Sequence, residues 1–237
     1  MLSYKSREVV GISIGLITIL LSLSPYPVFY LGLFVLSLLI GFEISKALSI
    51  KEFYVAPLTF LFASLSPELG TLSLLLLSFL LGWKSWSLDG FLRALLVCLY
   101  AGFLPLFVLE LKGMDSYALI KLLFFVWAVD IFSYYVGKNF GKRRMSPRLS
   151  PKKTWEGLVG GGFAGLLVLL FLHGAEGILW SPLMVFGAVM GDLFKSFIKR
   201  QVGIKDFSTL LGEHGGFTDR FDSLLFTAPL YLFLLKF

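Results

Sequence analysis

The chain is organised around the stretch GDLFKSFIKRQVGIKDFSTLLGEHGGFTDRFD, residues 191–222. The part from Lys195 to Asp222 carries ten of the chain's 38 Asp, Glu, Lys, Arg and His residues. Apolar runs flank the stretch on both sides, which indicates a polar segment between two membrane spans. Charged groups so close to a membrane are costly and usually functional. A solvated basic loop at the membrane surface is the alternative interpretation.

The composition indicates an integral membrane protein. Of the 237 residues, 57% are hydrophobic and only 15% are charged, and the mean hydropathy is +0.85. A soluble domain carries about 25% charged residues and lacks repeated long apolar runs. The net charge of +6 is concentrated in a few segments, which favours anionic membrane partners over nucleic acid. The single cysteine, Cys98, excludes an intrachain disulfide and is expected to pack inside an apolar helix.

Nine apolar runs predict an all-α, polytopic membrane fold with about nine transmembrane helices, in a range of eight to ten. The third and fourth runs are shorter than the roughly 20 residues of a perpendicular span, so they are predicted to be short helices or a tilted or re-entrant pair. The start of the chain looks like a signal peptide, but no cleavage pattern follows, which favours a retained first helix. The runs lie at about residues 9–23, 28–48, 53–66, 71–83, 91–110, 118–137, 157–173, 178–198 and 221–236.

The placement of basic residues predicts the orientation in the membrane. With a cytoplasmic N-terminus, nine spans put 18 of the 21 Lys and Arg residues on or near the inside, and only Lys112, Lys121 and Lys236 near the outside. This asymmetry is typical of membrane proteins, whose cytoplasmic loops are basic. We therefore predict a multi-pass protein of the cell inner (plasma) membrane. Its two polar loops, 138–156 and 199–220, are predicted to emerge together on the cytoplasmic side, where the active site would lie.

The chain is predicted to divide into a scaffold and a catalytic region. Residues 1–111 have few charges and form N-terminal transmembrane helices, whereas residues 112–237 carry the constellations that indicate chemistry. In the first part, Glu43 and Lys46 are at helical spacing. We interpret them as a pair that anchors a helix at the membrane interface.

An acid in the sixth apolar run is the first candidate for function. Asp130 has Ser133, Tyr134 and Gly137 at i+3, i+4 and i+7, so one face of this helix is polar. A carboxylate there must face the protein interior, pair with a cation or bind one. A purely structural, hydrogen-bonded Asp130 is the alternative. An ion-coupled transporter centred on this acid is a further hypothesis, but the chain lacks the internal repeats that transporters often show.

The loop 138–156 is predicted to bind phosphate or anionic headgroups. It has seven basic residues, three hydroxyl side chains and a single acid, Glu156. Its end, SPKKTWE, meets the start of a helix, where free backbone amides and hydroxyls join Lys and Arg as phosphate ligands. The glycine-rich run at 157–162 then permits close backbone approach. Unspecific attraction to anionic lipids is the alternative.

Two helix ends in the opening stretch predict a magnesium site. Asp192, Ser196 and Lys199 share one face of a helix, and Asp219 and Asp222 project from one side of another helical turn. Carboxylates from two helices suit Mg²⁺, which completes its shell with substrate phosphate and water. The sequence has no Cys or His cluster that would indicate zinc.

The polar groups together indicate phosphoryl or nucleotidyl transfer. A metal ion would neutralise phosphate charge, Lys and Arg would act as clamps, and little need remains for a protein nucleophile. Between the two helix ends, the glycine turn at 214–216 can bring backbone amides close to a ligand.

The order of these residues resembles the signature of the phosphatidate cytidylyltransferases, the CDP-diacylglycerol synthases. The segment SPRLSPKKTWEG, residues 146–157, also looks like a conserved block of that family. The resemblance is specific from about Asp130 to Asp222, whereas the N-terminal half is similar only in hydropathy. Gly212-Glu213, where members often have Pro-Gly, is one departure, and Ile131-Phe132-Ser133 after Asp130 is another. The signature positions are Ser196-x-x-Lys199-Arg200, Lys205-Asp206 and His214-Gly215-Gly216-x-x-Asp219-Arg220-x-Asp222.

The resemblance implies Mg²⁺-dependent transfer of CMP from CTP to phosphatidic acid, with CDP-diacylglycerol and pyrophosphate as products of this step of phospholipid biosynthesis. The alternative acceptor is another lipid, an isoprenoid phosphate or alcohol. A second metal ion and a homodimer are compatible with the sequence, and the bilayer is an obligatory partner. By motif, the metal ligands would be Asp192, Asp219 and Asp222, and Lys199 and Arg200 would join them as catalytic residues. The substrate-binding residues would be Asp130, Ser146, Arg148, Ser150, Lys152, Lys153, Thr154, Glu156, Ser196, Lys205, Asp206, His214, Gly215, Gly216 and Arg220.

Overall fold

Helices make up nearly all of the fold. The computed structural model describes residues 2–212 and 215–236. Within these residues the only strands form one short hairpin, so the predicted all-α class is confirmed. The helices are α1 (Leu2–Leu23), α2 (Tyr26–Ala47), α3 (Val55–Leu65), α4 (Pro67–Ser85), α5 (Leu88–Val97), a π-helical turn (Cys98–Phe103), α6 (Leu104–Met114), α7 (Ser116–Phe140), α8 (Trp155–His173), α9 (Ala175–Gln201) and α10 (Thr218–Lys236).

Each of the nine predicted apolar runs overlaps helical structure. The fifth run is a continuous stretch in which α5, the π-helical turn and α6 follow one another. The third run is α3, whose 11 residues extend about 16 Å, well short of the roughly 30 Å hydrocarbon core. Among the described residues, five helical stretches are long and apolar enough to cross a membrane, and the total of about nine spans stays a prediction. The five are Tyr26–Ala47, Leu88–Met114, Tyr117–Phe140, Trp155–His173 and Ala175–Gln201.

Local sequence explains where several helices begin. Ser66 accepts a hydrogen bond from the Leu69 amide at 3.1 Å, and Pro67 follows at the first helical position of α4. Ser87 caps α5 in the same way, through the Gly90 amide at 3.3 Å. Serine at the cap and proline in the first turn are favoured because they satisfy or remove amides that have no partner inside the helix.

A β-hairpin occupies most of the segment that we predicted as the basic loop 138–156. Strands β1 (Arg144–Ser146) and β2 (Ser150–Thr154) are antiparallel and pair Arg144 with Thr154 and Ser146 with Ser150. The hairpin gives no alternation of apolar and polar residues because both of its faces are polar, so periodicity could not predict it. Helix α8 starts immediately after β2, as the sequence predicts.

The chain folds into two compact units. The first comprises Met1–Ser116 and Val202–Arg220, and its core includes the fully buried Ile40, Ile44 and Phe60. The second comprises Tyr117–Gln201 and Phe221–Phe237. The core of the second unit includes Phe125, Leu169, Met184 and Leu225. The division into a scaffold and a catalytic region at residue 111 stays a prediction.

Glycines set the helix packing of the second unit. A Cβ atom on Gly157 would lie 2.7 Å from the Ser133 carbonyl oxygen, and one on Gly161 would collide with the Ser133 side chain, so α8 packs directly on the backbone of α7. A Cβ atom on Gly191 would lie 2.5 Å from the Asp222 carbonyl oxygen, so α9 and α10 are equally close. Small residues at four-residue spacing are typical of such helix contacts in membranes. These contacts position the helices that carry the acidic residues of the candidate site.

Candidate active site

The centre of the candidate site is a pair of carboxylates that share one lysine. Asp192 and Lys195 lie one turn apart on α9, and Asp222 lies on α10. The Lys195 Nζ atom is 2.8 Å from Asp192 Oδ1 and 2.7 Å from Asp222 Oδ2. The Asp222 side chain is only 5% exposed, whereas that of Asp192 is 25% exposed. We call Asp192, Lys195 and Asp222 the bridged pair.

Further charges of the second unit surround the bridged pair. Lys153, at the end of the hairpin, forms an ion pair with Asp192 Oδ2. Asp130 is exposed on α7 and interacts electrostatically with both aspartates of the bridged pair and with both lysines. Three acids therefore share the field of two lysines, which leaves one negative charge in excess when all are ionised. Such a site favours a further cation.

The donor set of the bridged pair fits Mg²⁺. The Lys195 ammonium already occupies a position within hydrogen-bond distance of both carboxylates, so both can face a single cation. Mg²⁺ is typically bound by one or two carboxylates and takes its remaining ligands from substrate phosphates and water. Among the described residues, no three His, Cys, Asp or Glu side chains meet in a metal-binding cluster. Two aspartates are enough for a Mg²⁺ ion that takes its other ligands from substrate phosphates and water.

The polar face of α9 continues away from the bridged pair, as its spacing predicts. Ser196 and Lys199 are buried one and two turns beyond Asp192, and Arg200 is exposed at the end of the helix. The Arg200 Nε atom donates to the Leu149 carbonyl at 3.3 Å, so this helix end is tied to the turn of the hairpin. The contact holds the hairpin next to α9 within the second unit.

Several residues of the predicted phosphate-binding wall have structural contacts. Thr154 caps α8, because its Oγ1 accepts from the Gly157 amide at 3.1 Å. The Glu156 carboxylate accepts from the Arg143 amide with both oxygens, at 3.2 Å each, and thereby ties the hairpin to α8. Substrate contacts at these positions stay a prediction. Of the other wall residues, Arg148 and Lys152 are exposed, and Ser146 and Ser150 are half-buried.

Asp219 lies in the first unit, where its carboxylate orders the loop before α10. Its Oδ2 atom accepts hydrogen bonds from the amides of Phe207 and Gly216, each at 3.2 Å. Gly215 is buried with a φ of 79°, and a side chain there would come within 2.9 Å of Asp219. The predicted roles of Asp219 as metal ligand and of the glycines as substrate contacts stay predictions. Lys205, Asp206 and Arg220 are exposed, and His214 lies outside the described residues together with Glu213.

Glu43 is the residue that sequence reasoning misjudged. It is completely buried, and its carboxylate accepts four hydrogen bonds from residues between Ser208 and Thr218. The interpretation as an interface anchor paired with Lys46 is therefore wrong. Its signal was present, because an acid inside an apolar span is by default a candidate for function. Lys195 was also given no role, although its i+3 spacing from Asp192 pointed to a pair.

Comparison with known proteins decides the family. The model of the cytidylyltransferase family matches residues 5–237. The chain belongs to this family. It is therefore a nucleotidyltransferase, and the match extends through the N-terminal half, where we had found similarity only in hydropathy. The family assignment also removes the ion-coupled transporter from consideration.

Curated members of the cytidylyltransferase family include close relatives. The phosphatidate cytidylyltransferase of Aquifex aeolicus is 41% identical over 234 residues, which cover 97% of this chain and 90% of the relative. The phosphatidate cytidylyltransferase of Haemophilus influenzae is 36% identical over 68% of this chain and 63% of its own length. That of Bacillus subtilis is 37% identical over 59% of this chain and 56% of its own length.

Proposed function

We propose that this protein transfers CMP from CTP to phosphatidate and releases pyrophosphate and CDP-diacylglycerol. The observation that carries the proposal is the bridged pair, two carboxylates from separate helices that face one cation, in a chain of the cytidylyltransferase family. The identity of 41% to a phosphatidate cytidylyltransferase over nearly the whole chain supports phosphatidate as the acceptor.

Asp192 and Asp222 would hold a magnesium ion, with Asp219 as the third predicted ligand. The ion would supply charge neutralisation for the triphosphate and orient its phosphates. In the second unit, Lys153 and Lys195 lie beside the same carboxylates and would contact the phosphates when a cation takes the place of the lysine ammonium. A second ion remains compatible with the additional charge of Asp130.

The chemistry asks little of the protein beyond positioning. A phosphate oxygen of phosphatidate attacks the α-phosphorus of CTP, and the bond from that phosphorus to the bridging oxygen of the β-phosphate breaks. The electron pair leaves with pyrophosphate. Because the acceptor oxygen is already anionic, no general base is required. Lys199, Arg200, Lys205 and Arg220 are proposed to stabilise the charge that develops on the leaving group.

The proposed setting is the cytoplasmic face of the inner membrane. CTP is water-soluble and phosphatidate is a membrane lipid, so both can meet only at a membrane surface. The basic residues of the hairpin and of the loop before α10 support this placement, because basic segments favour the cytoplasmic side. A homodimer is compatible with this arrangement.

The direct test is release of pyrophosphate by the purified protein in detergent or vesicles that contain phosphatidate. Activity is expected only when CTP, phosphatidate and Mg²⁺ are all present. Asp192→Ala and Asp219→Ala are each expected to lower kcat by on the order of 10²-fold or more, because removal of a group that stabilises transition-state charge has effects of this size. The matched control is Asp89→Ala, which removes an exposed acid paired with Arg93 on α5.

Folding must be monitored in parallel. Monodisperse elution and an unchanged thermal transition would show that an inactive variant is folded. Full activity in Asp192→Ala would refute the metal site, and activity with an isoprenoid phosphate or alcohol but not with phosphatidate would replace the proposed acceptor.

A further inference from the structure

Glu43 joins α2 to a segment of the chain that lies far away in sequence. Its Oε1 atom accepts from Ser208 Oγ at 2.6 Å and from the Phe217 amide at 3.0 Å. Its Oε2 atom accepts from the amide and the hydroxyl of Thr218, at 2.8 and 2.7 Å. Both carboxylate oxygens thus have two donors each. All four residues belong to the first unit.

These contacts fix the first turn of α10. Helix α10 begins at Thr218, and the amides at the start of a helix have no partner inside it. Glu43 accepts from two consecutive amides at this point, and a negative charge there also interacts favourably with the helix dipole. A carboxylate from a distant helix therefore does the work that a local capping residue usually does.

Glu43 and Asp219 both accept hydrogen bonds from the loop before α10. Around its start, Phe207 donates to Asp219 and Ser208 donates to Glu43. At its end, the consecutive amides of Gly216, Phe217 and Thr218 donate to Asp219, Glu43 and Glu43. The two ends of the loop are therefore held together by two carboxylates. Because Asp219 accepts hydrogen bonds from the same loop, we expect displacement of Glu43 to shift the Asp219 carboxylate.

The fit around Glu43 leaves no room for adjustment. A Cβ atom on Gly216 would lie 2.5 Å from both carboxylate oxygens, so the glycine permits the close approach. The side chain is fully buried, where an unpaired charge would be very costly. Two of the four donors are backbone amides, which no substitution removes, so loss of the carboxylate leaves these amides without their acceptor. Three of the four hydrogen bonds of Glu43 come from Phe217 and Thr218, directly before Asp219, which points to a role in the reaction.

We propose that Glu43 is a positioning residue for nucleotidyl transfer, which sets the loop before α10 and thereby the Asp219 carboxylate. The residue touches no substrate and acts through the loop. The inference rests on the proposed function, because it gives Asp219 a part in the reaction. It assigns to α2, in the region that the sequence predicts as scaffold, an indirect effect on the site.

The test compares Glu43→Gln, Glu43→Asp and the control Ser45→Ala. Ser45 lies two residues further along α2 and is also buried, and its hydroxyl has no hydrogen-bond partner among the described residues. Glutamine keeps the size of the side chain, and its carbonyl oxygen can still accept two of the four hydrogen bonds, but its NH2 group faces donors and cannot accept from them. Aspartate keeps the charge and is shorter by one methylene group.

Two readouts are needed. Hydrogen exchange, measured without substrates by mass spectrometry, is expected to accelerate about tenfold in peptides covering 207–220 of Glu43→Gln and to change little in α2, since loss of a hydrogen bond to a charged group opens the loop. In the transfer assay, kcat is expected to fall at least about tenfold, and the Mg²⁺ concentration for half-maximal activity to rise several-fold. Excess Mg²⁺ should restore part of the activity. Glu43→Asp should show smaller changes in exchange and in activity than Glu43→Gln, and Ser45→Ala should match the wild type.

Each outcome decides a separate point. If hydrogen exchange at 207–220 is unchanged in Glu43→Gln, Glu43 does not hold the loop before α10, and the proposal is wrong. Faster exchange at 207–220 with normal kcat and normal Mg²⁺ dependence overturns the role in the reaction and leaves a structural contact. Equal loss of protection throughout the chain in both Glu43 variants also overturns the proposal, because it indicates general destabilisation. If the wild-type protein has no activity with CTP and phosphatidate, the proposed function is wrong instead. The exchange experiment still tests whether Glu43 holds the loop before α10.

Discussion

At the scale of single residues, Lys195 holds the position that a metal ion would compete for. Its ammonium group lies within 2.8 Å of oxygens from both Asp192 and Asp222. If the two carboxylates held a magnesium ion instead, the Lys195 ammonium would be released from them and would be available to bind a phosphate of the substrate. Lysine is suited to this exchange because it is a point charge on a flexible stem, whereas arginine binds through a rigid fork.

Replacement of this lysine should make the stability of the protein depend on the metal. In Lys195→Met, the two carboxylates lose their shared cation, and removal of one partner of a buried ion pair costs about 3–5 kcal/mol. A bound Mg²⁺ would offset that cost, because a ligand that binds only the folded state stabilises it. We therefore expect Lys195→Met in detergent with EDTA to melt at a lower temperature than the wild type under the same conditions. Added Mg²⁺ should raise the melting temperature of the variant more steeply than that of the wild type.

The control for this experiment is Lys51→Met, which removes an exposed lysine from the loop before α3. It should show the wild-type dependence on Mg²⁺. If Mg²⁺ raises the melting temperature of Lys195→Met no more than that of Lys51→Met, the bridged pair does not bind the metal. Ca²⁺, which prefers more ligands and a larger site, provides a comparison of ion selectivity.

At the scale of secondary-structure elements, the seam between α9 and α10 determines whether the bridged pair can form. Gly187 and Gly191 lie four residues apart on α9, and Gly191 faces the Asp222 backbone. Asp192 is the next residue after Gly191, so its distance from Asp222 depends on how closely the helices approach. In lipid, such packing of small residues replaces the hydrophobic effect as the cause of helix association.

A methyl group in this seam is therefore expected to damage catalysis. In Gly191→Ala the new Cβ atom meets backbone atoms of Asp222 at 2.5 Å, which cannot move aside as a flexible side chain would. We expect kcat to fall at least about tenfold, because small displacements of catalytic groups have effects of this size or larger. The matched control is Gly162→Ala on α8, where the nearest atom is a Val185 methyl group at an ordinary 3.7 Å.

The transfer assay with phosphatidate and CTP provides the measurement for both glycine variants. Gly162→Ala should retain at least about half of the wild-type activity, because overpacking is costly only where neighbours cannot yield. Equal activity in Gly191→Ala and Gly162→Ala would show that the separation of α9 and α10 does not limit the reaction.

The elements themselves differ in how well the sequence predicts them. Apolar length and turn residues predict the helices, since in a membrane each helix must satisfy its own backbone. The same physics could not reveal the hairpin at Arg144–Thr154, because a polar hairpin has no hydropathy pattern. Nor could it reveal the contacts of Glu43, whose partners lie 165 to 175 residues further along the chain. Spacing along a helix predicted which polar groups share a face, but not which distant group each one meets.

At the scale of the whole molecule, the signature residues are divided between the two units of the chain. Asp192, Lys199 and Asp222 belong to the second unit, whereas Lys205 and Asp219 belong to the first. A motif that is continuous in sequence is thus divided between two compact units, which spacing alone could not show.

A prediction about membrane topology rests on three helices and can be tested with single cysteines. Helices α7, α8 and α9 are each long and apolar enough to cross a membrane. If all three do, the hairpin and the loop 202–217 lie on one side, and the turn between α6 and α7 lies on the other. This conclusion does not depend on the total number of spans. The positive charge of the hairpin segment then favours the cytoplasm for the side that it shares with the loop.

The native Cys98 is buried and is removed first as Cys98→Ala. In this background we expect Gly113→Cys to react with a membrane-impermeant maleimide on intact cells, because Gly113 has open space around its Cα atom. Lys142→Cys and Thr209→Cys, both at exposed positions, should react only after the membrane is opened. Retained transfer activity in each variant ensures that the labelled protein is folded. Reaction of positions 142 and 209 from opposite sides would contradict a span by both α8 and α9.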